Sequence, residues 1–308
     1  MKTAIAARVP VGSFFDLDRK DPDLTRLREQ GAESALPFAL MERLLKSGTP
    51  YAERARTLRS EPVTVAGATF DWFDAELPGE IADEINLTDY EIVQHTAERR
   101  AMLTQALDHL SLVHPDGFAR VREFVRGLLW VGLKPGNRAS SLTSSSDPAL
   151  PYVITFSDKA SRHIPPNTVS EHPSHRYLAE NIIHEGTHQS ISFHLLQHQV
   201  FADDYSSQTS PRIEIRWRAG QGEDRNQHWE IDRAFHATCV YNQLLRFRRT
   251  ELRRDDLTPD ERADFQSAYD EGRPAVRYLM RELELLRHHF TPHGVELLAD
   301  LRHQTDQL

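Results

Sequence analysis

A formal charge of −9 over 308 residues, with no basic run to offset it, speaks against a nucleic acid or an anionic membrane as partner. The single cysteine, Cys239, excludes an intrachain disulfide and lies in an apolar helical run as a small core residue. No stretch approaches a membrane span, and the apolar run at the N-terminus is short and broken by Arg8, so a cytoplasmic protein is expected.

Residues Asp23 to Leu45 hold two helical patterns broken near Gly31, with Ser34 placed to cap the second. Pro62 to Ala66 predicts a short strand, ended by Gly67. Phe70 to Phe73 is aromatic and acidic and is expected to form a hydrophobic edge. Thr88 to Glu91 has the spacing of a capping box and predicts a helix from there to about Leu112. A turn is expected at His114 to Gly117, then a helical pattern from Phe118 to Val125. Leu128 to Leu133 predicts a buried strand, stopped by Pro135 to Asn137. The polar loop Ser140 to Ser146 separates this strand from a second one, Tyr152 to Phe156. A loop so placed can line a site. Residues 158 to 173 carry Pro165, Pro166 and Pro173 and predict an irregular approach, after which Ser174 caps the next helix.

That helix holds the most informative stretch, Tyr177 to His188, which contains His184-Glu185-Gly186-Thr187-His188. Two histidines four apart sit one above the other on a helical face and can reach one metal ion. Glu185 projects about 100° round the helix from His184, toward a metal-bound water or a supporting group. Tyr177, Asn181, His184, His188, Ile191 and Leu195 recur at helical spacing.

An Asp- and Ser-rich loop follows from Asp203 to Ser210. From Pro211 to Arg218, Ile213, Ile215 and Trp217 alternate with Arg212, Glu214, Arg216 and Arg218, the period of a strand with an arginine face. Gly220 and Gly222 break it. A long helix is expected from about Asn226 toward Arg248, carrying His228, Glu230, Asp232 and His236. The basic cluster from Arg246 to Arg254 is balanced by Glu251, Asp255 and Asp256 and reads as a solvated helix end. Thr258 to Glu261 is another capping box with Pro259 at the first helical position. The charged remainder is helical, interrupted or kinked at Pro274.

The expected architecture is mainly α with a small β-sheet (α+β). It is read as one domain over 1–308, with a helical part at 1–117, a metal-site core at 118–248 and charged helices at 249–308. The metal site falls between the H-E-x-x-H helix and the later long helix. Spacing leaves the third ligand open. Glu230 completes a two-histidine-one-carboxylate set, and His236 a three-histidine set in which Asp232 can orient it. His228 is the third candidate.

Five pieces in order resemble the H-E-x-x-H peptide-modification family of ribosomally made, modified peptides. They are Trp130 to Ser146, Tyr152 to Ser157, Leu178 to His188, Ser210 to Arg212 with Arg216 to Arg218, and Arg233 to Ala237. Members are implicated as iron(II)- and 2-oxoglutarate-dependent β-hydroxylases of peptide residues. The resemblance implies His184, His188 and His236 as metal ligands, Fe(II) and 2-oxoglutarate as cofactors, and a peptide substrate, including a leader-bearing precursor. An arginine is suited to the distal carboxylate of 2-oxoglutarate. Arg216 and Arg218 are the candidates. The alternative is a zinc hydrolase with Glu185 as general base, against which no G-x-x-H continuation follows His188. A non-catalytic helical scaffold with a relic site is a third possibility.

Overall fold

The computed structural model describes residues 59–74, 79, 82, 87–137, 142–146, 152–165, 168–218 and 227–308. The helices expected between Asp23 and Leu45 lie outside them. The fold is mainly α-helical with a small mixed sheet. Contacts divide it into two compact units, one ending at His194 and one running from Leu195 to Leu308. No helix among the described residues is long and apolar enough to cross a membrane.

The first unit is built on a six-stranded sheet. Strand β1 (Ser60–Val65) turns through Ala66 and Gly67 into β2 (Ala68–Phe73). Both turn residues have positive φ, 47° and 76°, the geometry of the two-residue turns whose twist suits a hairpin. Strand β2 is not the hydrophobic edge expected at Phe70 to Phe73. It lies between β1 and β4 (Gly127–Leu133), and Phe70, Trp72 and Phe73 are buried. Strand β4 pairs in parallel with β2 and with β6 (Val153–Phe156). Its far end pairs antiparallel with β3 (Tyr90–Ile92). With partners on both sides, its first five residues are all buried. The short β5 (Ser144–Ser145) adds antiparallel to β6 at the sheet's end.

The capping box expected at Thr88 to Glu91 does not form. Those backbone groups join the sheet instead, with Glu91 opposite Gly132 and Val93 N donating to Trp130 O. Helix α1 (Ala97–Val113) starts eight residues later, where Thr96 Oγ1 accepts from Arg99 N at 3.3 Å. Nor is His114 to Gly117 a free turn. Pro115 is the first residue of α2 (Pro115–Phe124), where a missing N–H costs nothing and a fixed φ suits the helix.

The H-E-x-x-H helix is α3 (His175–Gln197). Ser174 caps it as expected, its Oγ accepting from Arg176 N at 3.1 Å. The approach to it contains a 3-10 turn, Asp158–Ser161, and a two-stranded ribbon, β7 (His163–Ile164) with β8 (Thr168–Val169). Gly186 is where α3 meets α2. A Cβ built there would stand 3.0 Å from Val121 Cγ2 and 3.6 Å from Val125 Cγ2.

In the second unit, β9 (Arg212–Glu214) pairs antiparallel with β10 (His228–Glu230). The strand expected over Pro211 to Arg218 is therefore shorter, and Arg216 to Arg218 form a 3-10 turn. The helix expected from Asn226 begins at Ile231, because residues 228–230 are spent on the β9 ladder. Asn226 itself lies outside the described residues. Three helices follow: α4 (Ile231–Leu252), α5 (Pro259–Leu285) and α6 (Pro292–Asp306). The capping box at Thr258 and Glu261 forms in full, and α5 runs on through Pro274. Cys239 is buried on α4. Leu245, Tyr269 and Val276 form an apolar core between α4 and α5. Asn242 Nδ2 donates to Thr305 Oγ1 at 3.1 Å, tying α4 to α6.

The α2–α3 contact sets an expected outcome. Gly186→Ala gains about 1 kcal/mol of helix propensity but presses on Val121, so it should stay within about 1 kcal/mol of the parent. Gly186→Leu has no such room and should cost roughly 2 kcal/mol or more in denaturant unfolding. Equal stability of the two variants would show that α2 does not constrain this face.

Candidate metal centre

Helix α3 is unusual in what it buries. From Arg176 to Ser192 every residue is buried except His184 and His188, which are half-buried. Many of the enclosed side chains are polar, so each needs a partner. Three of them, Asn181, Glu185 and Gln189, are spaced four apart and form one ridge. Asn181 Nδ2 is within 3.0 Å of the carbonyls of Ala160, His163 and Tyr177. Gln189 grips β6, accepting from Tyr152 N at 3.2 Å and donating to Val153 O at 2.9 Å. Between them, Glu185 meets the Ser-rich loop. Ser144 Oγ and Ser146 Oγ donate to its two carboxylate oxygens, each at 2.6 Å. The polar loop thus meets the Glu185 carboxylate.

Burial pushes the Glu185 carboxyl up to about 7, against the opposite pull of the two serine hydrogen bonds. Ser144 Oγ also lies 3.1 Å from Asn181 Oδ1. It has one proton, so it serves Glu185 when the carboxylate is ionised. When Glu185 is protonated, Ser144 can accept from it and turn its own proton to Asn181.

The two histidines project beside this ridge. Their Nε2 atoms are 3.0 Å apart, and His184 Nε2 is 3.9 Å from Glu185 Oε1. His184, Glu185 and His188 each offer a donor atom within 4.8 Å of the other two. Two imidazole nitrogens each roughly 2.1 Å from one ion, at an angle of about 90–110°, stand about 3.0–3.4 Å apart. The donor set therefore fits a divalent transition metal. A single shared N–H···N proton would give the same spacing, and metal loading separates the two.

The other expected site residues belong to the second unit. His236 is on α4, half-buried. Asp232, one turn earlier, accepts from Tyr205 Oη at 2.7 Å and from Arg233 N at 2.9 Å. Burial, then Asp232, push the Tyr205 phenol well above its usual range. Glu230 and His228 are on β10, not on a helix, and Glu230 pairs with Arg212 at 3.2 Å. Arg216 and Arg218 do not share a strand face. Arg216 lies 4.7 Å over the Tyr278 ring and Arg218 5.4 Å over Trp229.

The clamp formed by Asn181, Gln189, Ser144 and Ser146 was not singled out from the sequence. Its signal was there, as three polar residues at helical spacing within a helix flanked by apolar runs. A comparison with protein-family models found no match, and a comparison with curated proteins found none either.

In metal-free protein the raised carboxyl makes a signed expectation. The folded form holds a proton that the unfolded chain releases near its ordinary value of 4.5, so stability should fall as pH rises from there through about 7. The loss should be at most about 3 kcal/mol. Glu185→Gln should abolish that slope while keeping both serine contacts. A parent-minus-variant difference that is flat from pH 4 to 8, measured by urea unfolding, would show that Glu185 titrates normally.

Proposed function

We propose that the chain is an iron(II)- and 2-oxoglutarate-dependent hydroxylase acting on an unactivated carbon of a peptide residue. The observation that carries this reading against hydrolysis is the enclosure of Glu185. Both its oxygens are engaged by serine hydroxyls, and its side chain is 5% exposed. A hydrolytic base needs an oxygen open to a metal-bound water. A carboxyl held this way is suited instead to fixing the helix and tuning the charge of the centre. Iron bound by imidazoles with open positions supplies oxygen activation with a chelating keto acid. The reaction then converts a C–H, O2 and 2-oxoglutarate to a C–OH, succinate and CO2.

In this reading His184 and His188 hold the ion. The resemblance adds His236 as third ligand. One of Arg216 and Arg218 holds the distal carboxylate of 2-oxoglutarate, and Arg218 is the better enclosed of the two. The residues of this chain bind, orient and exclude water. A second reading, a zinc hydrolase, draws support from the Glu185 carboxyl at about 7 and its oxygen 3.9 Å from His184 Nε2. A group near neutrality is matched to proton transfer.

Aerobic incubation of iron-loaded protein with 2-oxoglutarate and candidate peptides should give a product heavier by one oxygen atom, with succinate. Neither should form without O2. Peptide cleavage supported by zinc without O2 or 2-oxoglutarate would establish the hydrolase. Elemental analysis of folded His184→Ala and His188→Ala should show the metal lost, and His236→Ala a marked reduction. Full retention in His236→Ala would move the third ligand to Glu230 or His228. Arg218→Lys should weaken 2-oxoglutarate binding about tenfold or more, since Lys lacks the planar fork. An unchanged dependence in both Arg216→Lys and Arg218→Lys would remove the arginine assignment.

A further inference from the structure

The second unit carries a charged groove that the metal centre does not use. Along α5, Arg273, Arg277 and Arg281 recur every four residues and so form one ridge. With Asp270, Pro274 and Tyr278 they line a groove of ≈ 610 Å³. Arg277 and Arg281 are exposed, and Arg273 is half-buried. Like charges four apart on a helix repel, so this ladder works against the helix that bears it. Glu282 pairs with Arg281 at 2.7 Å, and Asp270 accepts from Gln266 at 2.8 Å. Three arginines thus line the groove with one carboxylate, Asp270, and with Glu282 beside it, in a chain whose formal charge is −9.

Stacking holds Arg273 over the Tyr269 ring at 5.5 Å, and holds Arg281 and the neighbouring Arg216 over Tyr278. Arg216 lies 4.7 Å and Arg281 5.2 Å from the Tyr278 ring centre. The ring is itself fixed, with Tyr278 Oη donating to Glu214 O at 2.8 Å. Stacking orients a guanidinium while leaving its in-plane N–H groups for an acceptor.

We propose that this groove binds an extended acidic polypeptide segment with carboxylates at alternate positions. Successive rungs of the ladder are about 6 Å apart, four residues at 1.5 Å each. Alternate side chains of an extended chain lie on one face about 6.6–6.8 Å apart. Three carboxylates of such a segment therefore match three arginines in register, Arg273 and Arg277 by a planar fork and Arg281 by the N–H groups that Glu282 leaves. A phosphate strand is the poorer fit. Its charge is continuous, so it must pass Asp270 and Glu282 as well as the arginines, against an acidic chain. The peptide's intervening residues are neutral and avoid that repulsion. The ladder itself, Arg273, Arg277 and Arg281, has no part in the proposed metal centre.

Fluorescence anisotropy of the full chain with a labelled twelve-residue peptide of alternating Glu and Ser tests it. Binding should be saturable and weaken steeply from 50 mM to 500 mM salt. A Gln-Ser peptide of the same length should not bind. Arg277→Gln should weaken binding about three- to fivefold, and Arg277→Gln with Arg281→Gln about tenfold or more. Arg277→Glu should weaken it further, with circular dichroism confirming the helices. Equal binding of the Gln-Ser peptide, or affinities unchanged in the variants, would overturn the proposal. So would preferential binding of a single-stranded oligonucleotide of matching length. A concentration-dependent dimer abolished by Arg277→Gln would assign the groove to a second copy of this chain and equally overturn it.

Discussion

Burying polar side chains on a helix is permitted only when each finds a partner, and α3 is enclosed nearly all round while carrying many of them. That constraint decides where the neighbouring strands stand. Gln189 needs the edge of β6 near Tyr152 and Val153, Asn181 needs the carbonyls of the approach segment, and Glu185 needs β5. An unmade bond in such a place costs more than a made one contributes. The three contacts therefore act as pins rather than as sources of net stability. Between them they leave only the His184 and His188 rings facing outward from the middle of the helix. The histidines are positioned by buried side chains of their own helix, each fixed to a different neighbouring segment.

Much of this was legible. Both central strands were readable as short apolar runs with turn residues at their ends, as was the H-E-x-x-H helix with Ser174 at its start. Thr258 with Glu261 carried its cap in the residues alone, because a capping box is a local device whose two hydrogen bonds close within four residues. Thr88 with Glu91 had the same spacing and failed. There the backbone found the far end of β4, a partner more than forty residues away, and local spacing does not register such a partner. The same reason explains 228–230. Three residues that continue a helical pattern were taken by β9, through a pairing fourteen or more residues distant. The arginine alternation from Arg212 to Arg218 was half right, since the strand yields to a 3-10 turn once Trp217 turns toward Trp229 and Tyr278.

The site divides along the same line. The His184 and His188 pair is a property of helical geometry and needs no tertiary knowledge. The serine contacts to Glu185 join residues about forty apart, and only the position of the loop between two strands hinted at them. Arg216 and Arg218 were grouped by sequence period. The fold separates them onto different rings, Tyr278 and Trp229, which gives each its own exposure and its own neighbours.

The single proton of Ser144 has a consequence for how this centre keeps its charge. The titration of Glu185 is shaped by burial and two hydroxyls, not by a neighbouring cation. Gain or loss of its proton changes the local charge by one unit beside His184, whose Nε2 stands 3.9 Å from Glu185 Oε1. No heavy atom must move for this to happen, because Ser144 already stands within reach of both Glu185 and Asn181. Rotation of one O–H bond is enough. The centre thus records its electrical state in the orientation of a hydroxyl, a rotor with almost no inertia set in a rigid frame. A scaffold of this kind can change the protonation of Glu185 without repacking its interior.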